Sequence, residues 1–163
     1  MAKNDKPKAS PKVATDLLQS FLTTLHEGFE TDTNLETSAG VAFDYGRYGT
    51  FVLKRAVHRN QAYAKAMKDK VLPYVQSRGE VDESEDDKHA SKLMAEVYVE
   101  TVIVGIKTTD GQTIPYDAEA KKGLVKLFVA APDLFTKIQS DASDAVNFRK
   151  KKTEAEAKNS VKS

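Results

Sequence analysis

Leu134, Ile138, Ala142, Ala145 and Phe148 recur at i, i+4, i+8, i+11 and i+14. That is the spacing of one face of an α-helix, not of a strand. Lys137, Gln139, Asp141 and Asp144 are read as its polar face. A stripe of this kind is stable in water only when a second apolar surface covers it, so the chain must pack helix against helix or helix against sheet. Pro132 and Asp133 supply the start signal.

Other segments repeat the pattern. In residues 16–26, Leu17, Leu18, Phe21, Leu22 and Leu25 share a face, with Asp16 placed as N-cap. From Asn60 onward, Tyr63, Met67, Val71 and Tyr74 do the same, with an end or kink expected at Pro73. Ser84 to Asp87 imitates a capping box opening a helix toward Ile106. Residues 97–106 are rich in β-branched side chains and could form a strand. Helix is the reading adopted, because Leu93, Val97, Thr101 and Val104 keep helical spacing. Asp117 caps a helix bearing Leu124, Leu127 and Phe128. Residues 40–56 differ: Val41, Phe43 and Tyr45 alternate, Gly46 to Gly49 supply a turn, and Phe51 to Leu53 resume an extended run, a short hairpin with a strand leading into a helix start as the competing reading. The expected fold is mainly α, a small helical domain with one short β-hairpin near residues 40–56.

At 163 residues the chain has about one domain's worth of length. The expected division is a disordered basic tail at 1–12, a single domain at 13–149 containing an acidic linker at 79–87, and a second disordered basic tail at 150–163. A net charge of +1 conceals blocks of one sign. Residues 1–12 hold four lysines against Asp5, residues 27–36 hold four acids, and residues 47–70 hold seven bases against Asp69. Residues 80–87 carry six acids, and residues 149–163 carry six bases against two. Such blocks are usually solvated faces or tails. No apolar core follows the basic start, and no run approaches the 18 or more apolar residues of a membrane span. A soluble protein of the cytoplasm is expected.

Chemistry is scarce. With no cysteine, thiol nucleophiles, iron–sulfur clusters and Cys-zinc sites are excluded. His26, His58 and His89 stand alone, without HExxH or HxH spacing. Asp82, Ser84 and Asp86 imitate the start of a calcium loop, but Asp87 and Leu93 occupy the positions that need Gly and Glu. Residues 46–49 are too short for a phosphate loop. No catalytic residue, metal ligand or cofactor site is expected, and the chain reads as non-enzymatic. Basic segments 47–70 and 149–163, with Tyr45, Tyr48, Phe51 and Tyr63 interleaved, keep a nucleic-acid-binding or regulatory role open as the alternative. The aromatics fit a buried face better, which makes nucleic acid the less favoured partner.

From residue 93 to 148 the chain resembles the tail assembly chaperones of long-tailed bacteriophages. The features are an apolar helix from Leu93 to Gly105, Asp110–Gly111, Ile114–Pro115–Tyr116–Asp117, Leu127–Phe128, Pro132 to Phe135, and a close at Asn147–Phe148–Arg149. Glu36, Gly40–Val41, Tyr45–Gly46, Lys54 to Ala56, Asn60 and Pro73–Tyr74 are similar to that family's smaller N-terminal module. Where similar proteins often place Trp after the helix-closing Gly, this chain has Ile106. The resemblance implies a protein that binds the tape-measure protein, a long helix with apolar stripes, and recruits tail-tube protein around it. It also implies departure before the virion matures; a structural subunit retained in the tail is the competing reading. Self-association is compatible with the role. Phe135 and Phe148 are the expected partner-binding residues: Phe148 closes the last stripe beside the basic tail, where packing should be thinnest, and Phe135 lies next to the stripe rather than on its axis.

Overall fold

The computed structural model describes residues 10–77 and 83–150. Residues 1–9 and 151–163, where the two tails were expected, and most of the acidic linker's first half fall outside that description. Two compact units form, Met1–Glu30 and Thr31–Ser163. The first contains helix α1 (Pro11–Phe29). It opens earlier than the Asp16 signal suggests: Ser10 Oγ accepts a hydrogen bond from Val13 N at 3.4 Å, and Pro11 takes the first turn, where its missing N–H costs nothing. Every residue of α1 is exposed.

The second unit is mainly α around a four-stranded antiparallel sheet in the order β1-β2-β3-β4. The expected hairpin is present as β1 (Val41–Asp44) and β2 (Thr50–Leu53), with Phe43 opposite Phe51. Its turn needs Gly49. The φ there is +82°, and a Cβ would collide with the Lys107 carbonyl.

The hairpin is only half of the sheet. Helix α4 (Glu83–Thr101) stops short of Ile106, and the chain continues as β3 (Ile103–Lys107), pairing Phe51 with Ile106 and Val52 with Gly105. A short β4 (Thr113–Ile114) adds to its far edge. Helix spacing therefore holds to Thr101 and β-propensity wins beyond it. The reason is tertiary. Asn60 Nδ2 donates to the Thr101 carbonyl at 2.9 Å, satisfying the helix end, and the open edge of β2 accepts the next residues.

Asn60 also caps the next helix, accepting from Tyr63 N at 3.3 Å. That helix comprises α2 (Gln61–Ala66), a π-helical turn (Met67–Val71) and α3 (Leu72–Ser77). Pro73 lies inside it rather than ending it: the wider turn, with Leu72 N bonded to Met67 O, comes just before the residue that cannot donate. Because α4 opens at Glu83, Ser84 sits in its first turn and is not its cap.

Asp117 caps α5 (Ala118–Ala130) and Pro132 starts α6 (Pro132–Ser143), as expected. The terminal stripe does not stay helical to Phe148. Asp144 Oδ1 accepts from Val146 N at 2.9 Å and opens a 3-10 turn (Ala145–Phe148) that swings Phe148 inward. Asp32 N donates to the Phe148 carbonyl at 2.7 Å, and Thr31 pairs with Arg149, tying the two ends of the unit together.

The core lies between the sheet and helices α4 to α6. Phe128 stacks on Phe135 at 4.9 Å and 8°, and Phe135 meets Tyr98 edge-on at 5.3 Å. Phe51 and Tyr63 extend the series at either end. Aromatic pairs in these geometries add about 0.5–1.5 kcal/mol each beyond area burial.

Candidate functional site

Helices α4 and α5 lie against each other, and their junction is set by Tyr116. Its hydroxyl donates to the Val99 carbonyl of α4 at 2.5 Å, one residue before Asp117 caps α5 by accepting from Ala120 N at 2.9 Å. Burial, and secondarily the charge of Glu100, push the Tyr116 phenol well above its ordinary pKa, so it stays a neutral donor.

Beside this latch runs a groove of about 610 Å³. Val99, Tyr116 and Val125 give it an apolar floor, and Lys70, Lys92, Lys121, Lys122 and Lys126 stand around it against Glu96, Glu100 and Asp117. Lys121 Nζ lies 2.9 Å from Glu100 Oε2 and 5.6 Å from the centre of the Tyr116 ring. Lys122 pairs with Glu119 at 3.4 Å. Lys70, Lys92 and Lys126 are exposed and form no ion pair among the described residues. The groove is thus apolar at the bottom with unspent positive charge at the rim. Sequence reasoning missed it. The spacing of Lys121, Lys122 and Lys126 around Val125 was a visible signal, but Lys70 and Lys92 join them only in the fold.

The basic block 47–70 is divided rather than presented on one face. Glu36, fully buried, accepts from Arg55 Nη1 at 2.5 Å and from Arg59 Nη1 at 3.3 Å. Burial alone would raise the Glu36 carboxyl. The hydrogen bonds from Arg55, Thr31 and Arg59 outweigh it and hold the group below the usual range. Lys65 pairs with Asp69, Arg47 lies over the Tyr48 ring at 5.6 Å, and burial lowers the pKa of the half-buried Lys54. The cluster around Glu36 joins the start of the unit to the β2–α2 connection, a structural use of the charges.

His26, His58 and His89 are all exposed, on α1, in the loop before α2 and on α4; the His89 ring packs 4.9 Å from Tyr74. Among the described residues no group of three His, Asp or Glu side chains is arranged to hold a metal ion.

Phe135 and Phe148 are not where thin packing would leave them. Phe148 is 0% exposed, 6.5 Å from the Phe43 ring, and Phe135 is 4% exposed within the aromatic series. The expectation of a sparsely packed edge is corrected: the 3-10 turn and the Asp32–Phe148 hydrogen bond seal that end of the unit.

A family model described as "YdaY prophage protein" matches residues 58–159. The chain belongs to the YdaY prophage protein family. It is therefore a phage-related protein, in line with the phage character of the sequence resemblance. No curated protein and no solved structure matches it. The span matched to the YdaY family runs from the loop before α2 past the 3-10 turn, and includes every residue lining the groove. Helix α1 and the hairpin lie outside it.

Proposed function

We propose that the protein is a non-enzymatic assembly factor of the phage tail, a chaperone that binds the tape-measure protein and helps recruit tail-tube protein around it. The observation that carries this reading is the α4–α5 groove, with its apolar floor of Val99, Tyr116 and Val125 beneath three lysines that form no ion pair among the described residues. A groove of this character suits one face of an amphipathic helix, whose apolar anchors enter while its acids meet the rim. Apolar side chains on the floor supply binding energy; the lysines set orientation and association rate. A long helical polymerisation template, insoluble until the tube forms around it, is a partner of that chemistry. Action in the host cytoplasm and departure before the particle is complete belong to the same proposal.

The test is co-expression with the tape-measure protein of the same prophage. Wild-type protein should keep it soluble and co-purify with it. The double variant Lys92→Glu, Lys126→Glu should bind about tenfold or more weakly, with an unchanged melting temperature, since both residues are exposed. Solubilisation unaffected by that variant, or salt-dependent duplex DNA binding with no hold on the tape measure, overturns the reading.

A further inference from the structure

Helix α1 presents Val13, Leu17, Leu18, Phe21, Leu22 and Leu25 to solvent, each between 39% and 64% exposed. At 3.6 residues per turn these six side chains cover about 180° of the helix surface. Their exposed area is on the order of 600 Å², at the upper limit for the largest apolar patch of a typical monomer. A helix of 19 residues with nothing buried is marginal in water by itself. Something must cover the stripe.

We infer that it is covered by a second copy of the same helix, packed antiparallel about a two-fold axis at Phe21. Three observations favour this occupant. First, area: two such stripes face to face would remove up to about 1,200 Å², the lower bound of a specific, stable protein interface. Second, the centre and flanks of the stripe match when reversed about Phe21, while Leu18 and Leu22 meet Thr24 and Ser20 at the margin. Leu17 then falls opposite Leu25 of the other copy, and the small Ala14 opposite the small Gly28. An isologous contact requires that property. Third, charge: Lys12 stands near one end of the helix and Glu27 and Glu30 at the other, and the preceding sequence adds Lys3, Lys6 and Lys8. Antiparallel pairing brings ends of opposite sign to the same level and opposes the two helix dipoles, whereas parallel pairing stacks like upon like. The polar side of α1, with Asp16 and Glu27 against Lys12, lacks the cationic excess of a helix made for anionic lipid. The helix lies outside the family-matched span, so pairing through it is a property of this chain and independent of the groove reading.

Sedimentation of the full-length protein across the micromolar range should show a monomer–dimer equilibrium. Phe21→Glu should raise its dissociation constant by about thirtyfold or more, the effect of losing a central anchor, without altering the melting of the second unit. Leu18→Glu should do the same. The chain has no cysteine, so oxidative cross-linking reads the register cleanly. A mixture of L17C and L25C proteins should form the mixed disulfide in preference to either self-linked species. The inference is overturned by a monomer at all concentrations, by a dimer that survives both charge substitutions, or by preferential L17C–L17C and L25C–L25C linkage, which marks a parallel pair. Phe21-dependent binding of monomers to phosphatidylglycerol–phosphatidylcholine vesicles overturns it in favour of a lipid surface. Lys92→Glu, Lys126→Glu should leave the dimer unchanged while weakening tape-measure capture, so either idea can fail without the other.

Discussion

Helices α1 and α6 carry apolar stripes of the same period and similar strength. In α6, Leu134, Phe135, Ile138 and Ala142 are all buried; in α1 no residue is. The sequence pattern is nearly the same and the environment opposite. Periodicity therefore announces a face but not its cover. What distinguishes α6 is partners on other elements: Phe128 of the neighbouring α5 and Tyr98 of the distant α4 close over Phe135.

The largest effect is expected in the covered stripe's surroundings. Phe128→Ala removes a ring that is 0% exposed and touches both Phe51 and Phe135. It should cost about 3–5 kcal/mol, a large part of a small unit's total stability. Phe148→Ala belongs to the same class now that its ring is known to be interior. Thermal melting by near-ultraviolet circular dichroism checks both; a fall of only a degree or two would mean that this core is loosely packed, and the contrast with α1 would collapse.

Glu36→Gln comes next. The buried carboxylate holds Arg55 and Arg59, and a neutral amide would leave Arg55 short of its counter-charge, a loss of about 3 kcal/mol for a broken buried pair. The carboxyl's pKa is lowered by folding. Its contribution is therefore complete above the unfolded-state carboxyl pKa, about 4.3, and is lost as pH falls through the still lower folded value. Acid titration of wild-type stability should show that loss below about pH 4, and the Gln variant should show less of it. Identical acid profiles would remove Glu36 from the account.

These two sites mark what could be read from the chain and what could not. Local chemistry was legible: Asp117 as a cap, Pro132 at a helix start, the alternation of Val41 and Phe43 into a hairpin. Each depends on neighbours within a few residues. Glu36, by contrast, sits in an acidic run that reads as solvated surface, and its arginines lie 19 and 23 residues further on. The extension of the hairpin into a four-stranded sheet was hidden for the same reason, since β3 is recruited by an edge some fifty residues earlier in the chain. At Phe148 the helical period continued on paper past Asp144, whose side chain prefers to cap a new turn. The lysine rim needed Lys70, Lys92 and Lys126 to meet across three elements, which no local spacing encodes.

A smaller loss is expected from Asn60→Ala. The side chain is 2% exposed and does three jobs: it caps α2, donates to the Arg55 carbonyl at 3.2 Å, and satisfies the Thr101 carbonyl where α4 gives way to β3. Losing a cap and leaving a buried acceptor unpaired should together cost about 2 kcal/mol. Asn60→Asp keeps the cap acceptor but turns a buried carboxylate oxygen toward the Thr101 and Arg55 carbonyls, and should be at least as destabilising as Asn60→Ala. If Asp were as stable as Asn, the hydrogen bond to Thr101 would not be what ends α4, and the helix-to-strand change would need another cause.

The smallest effect is expected on α1 itself. Phe21 is 59% exposed, so Phe21→Ser creates no cavity, and the unit from Thr31 onward should melt within about 0.5 kcal/mol of wild type. The same residue should strongly affect self-association, because the area it hides there is created only by the second copy. Stability and assembly thus separate at one side chain, in a way that Phe128 cannot show. Measured on dilute protein, where the dimer has dissociated, a Phe21→Ser loss as large as that of Asn60→Ala would mean that the stripe is already covered within a single chain. α1 would then be a second α6, and the difference between them would lie only in how tightly the cover fits.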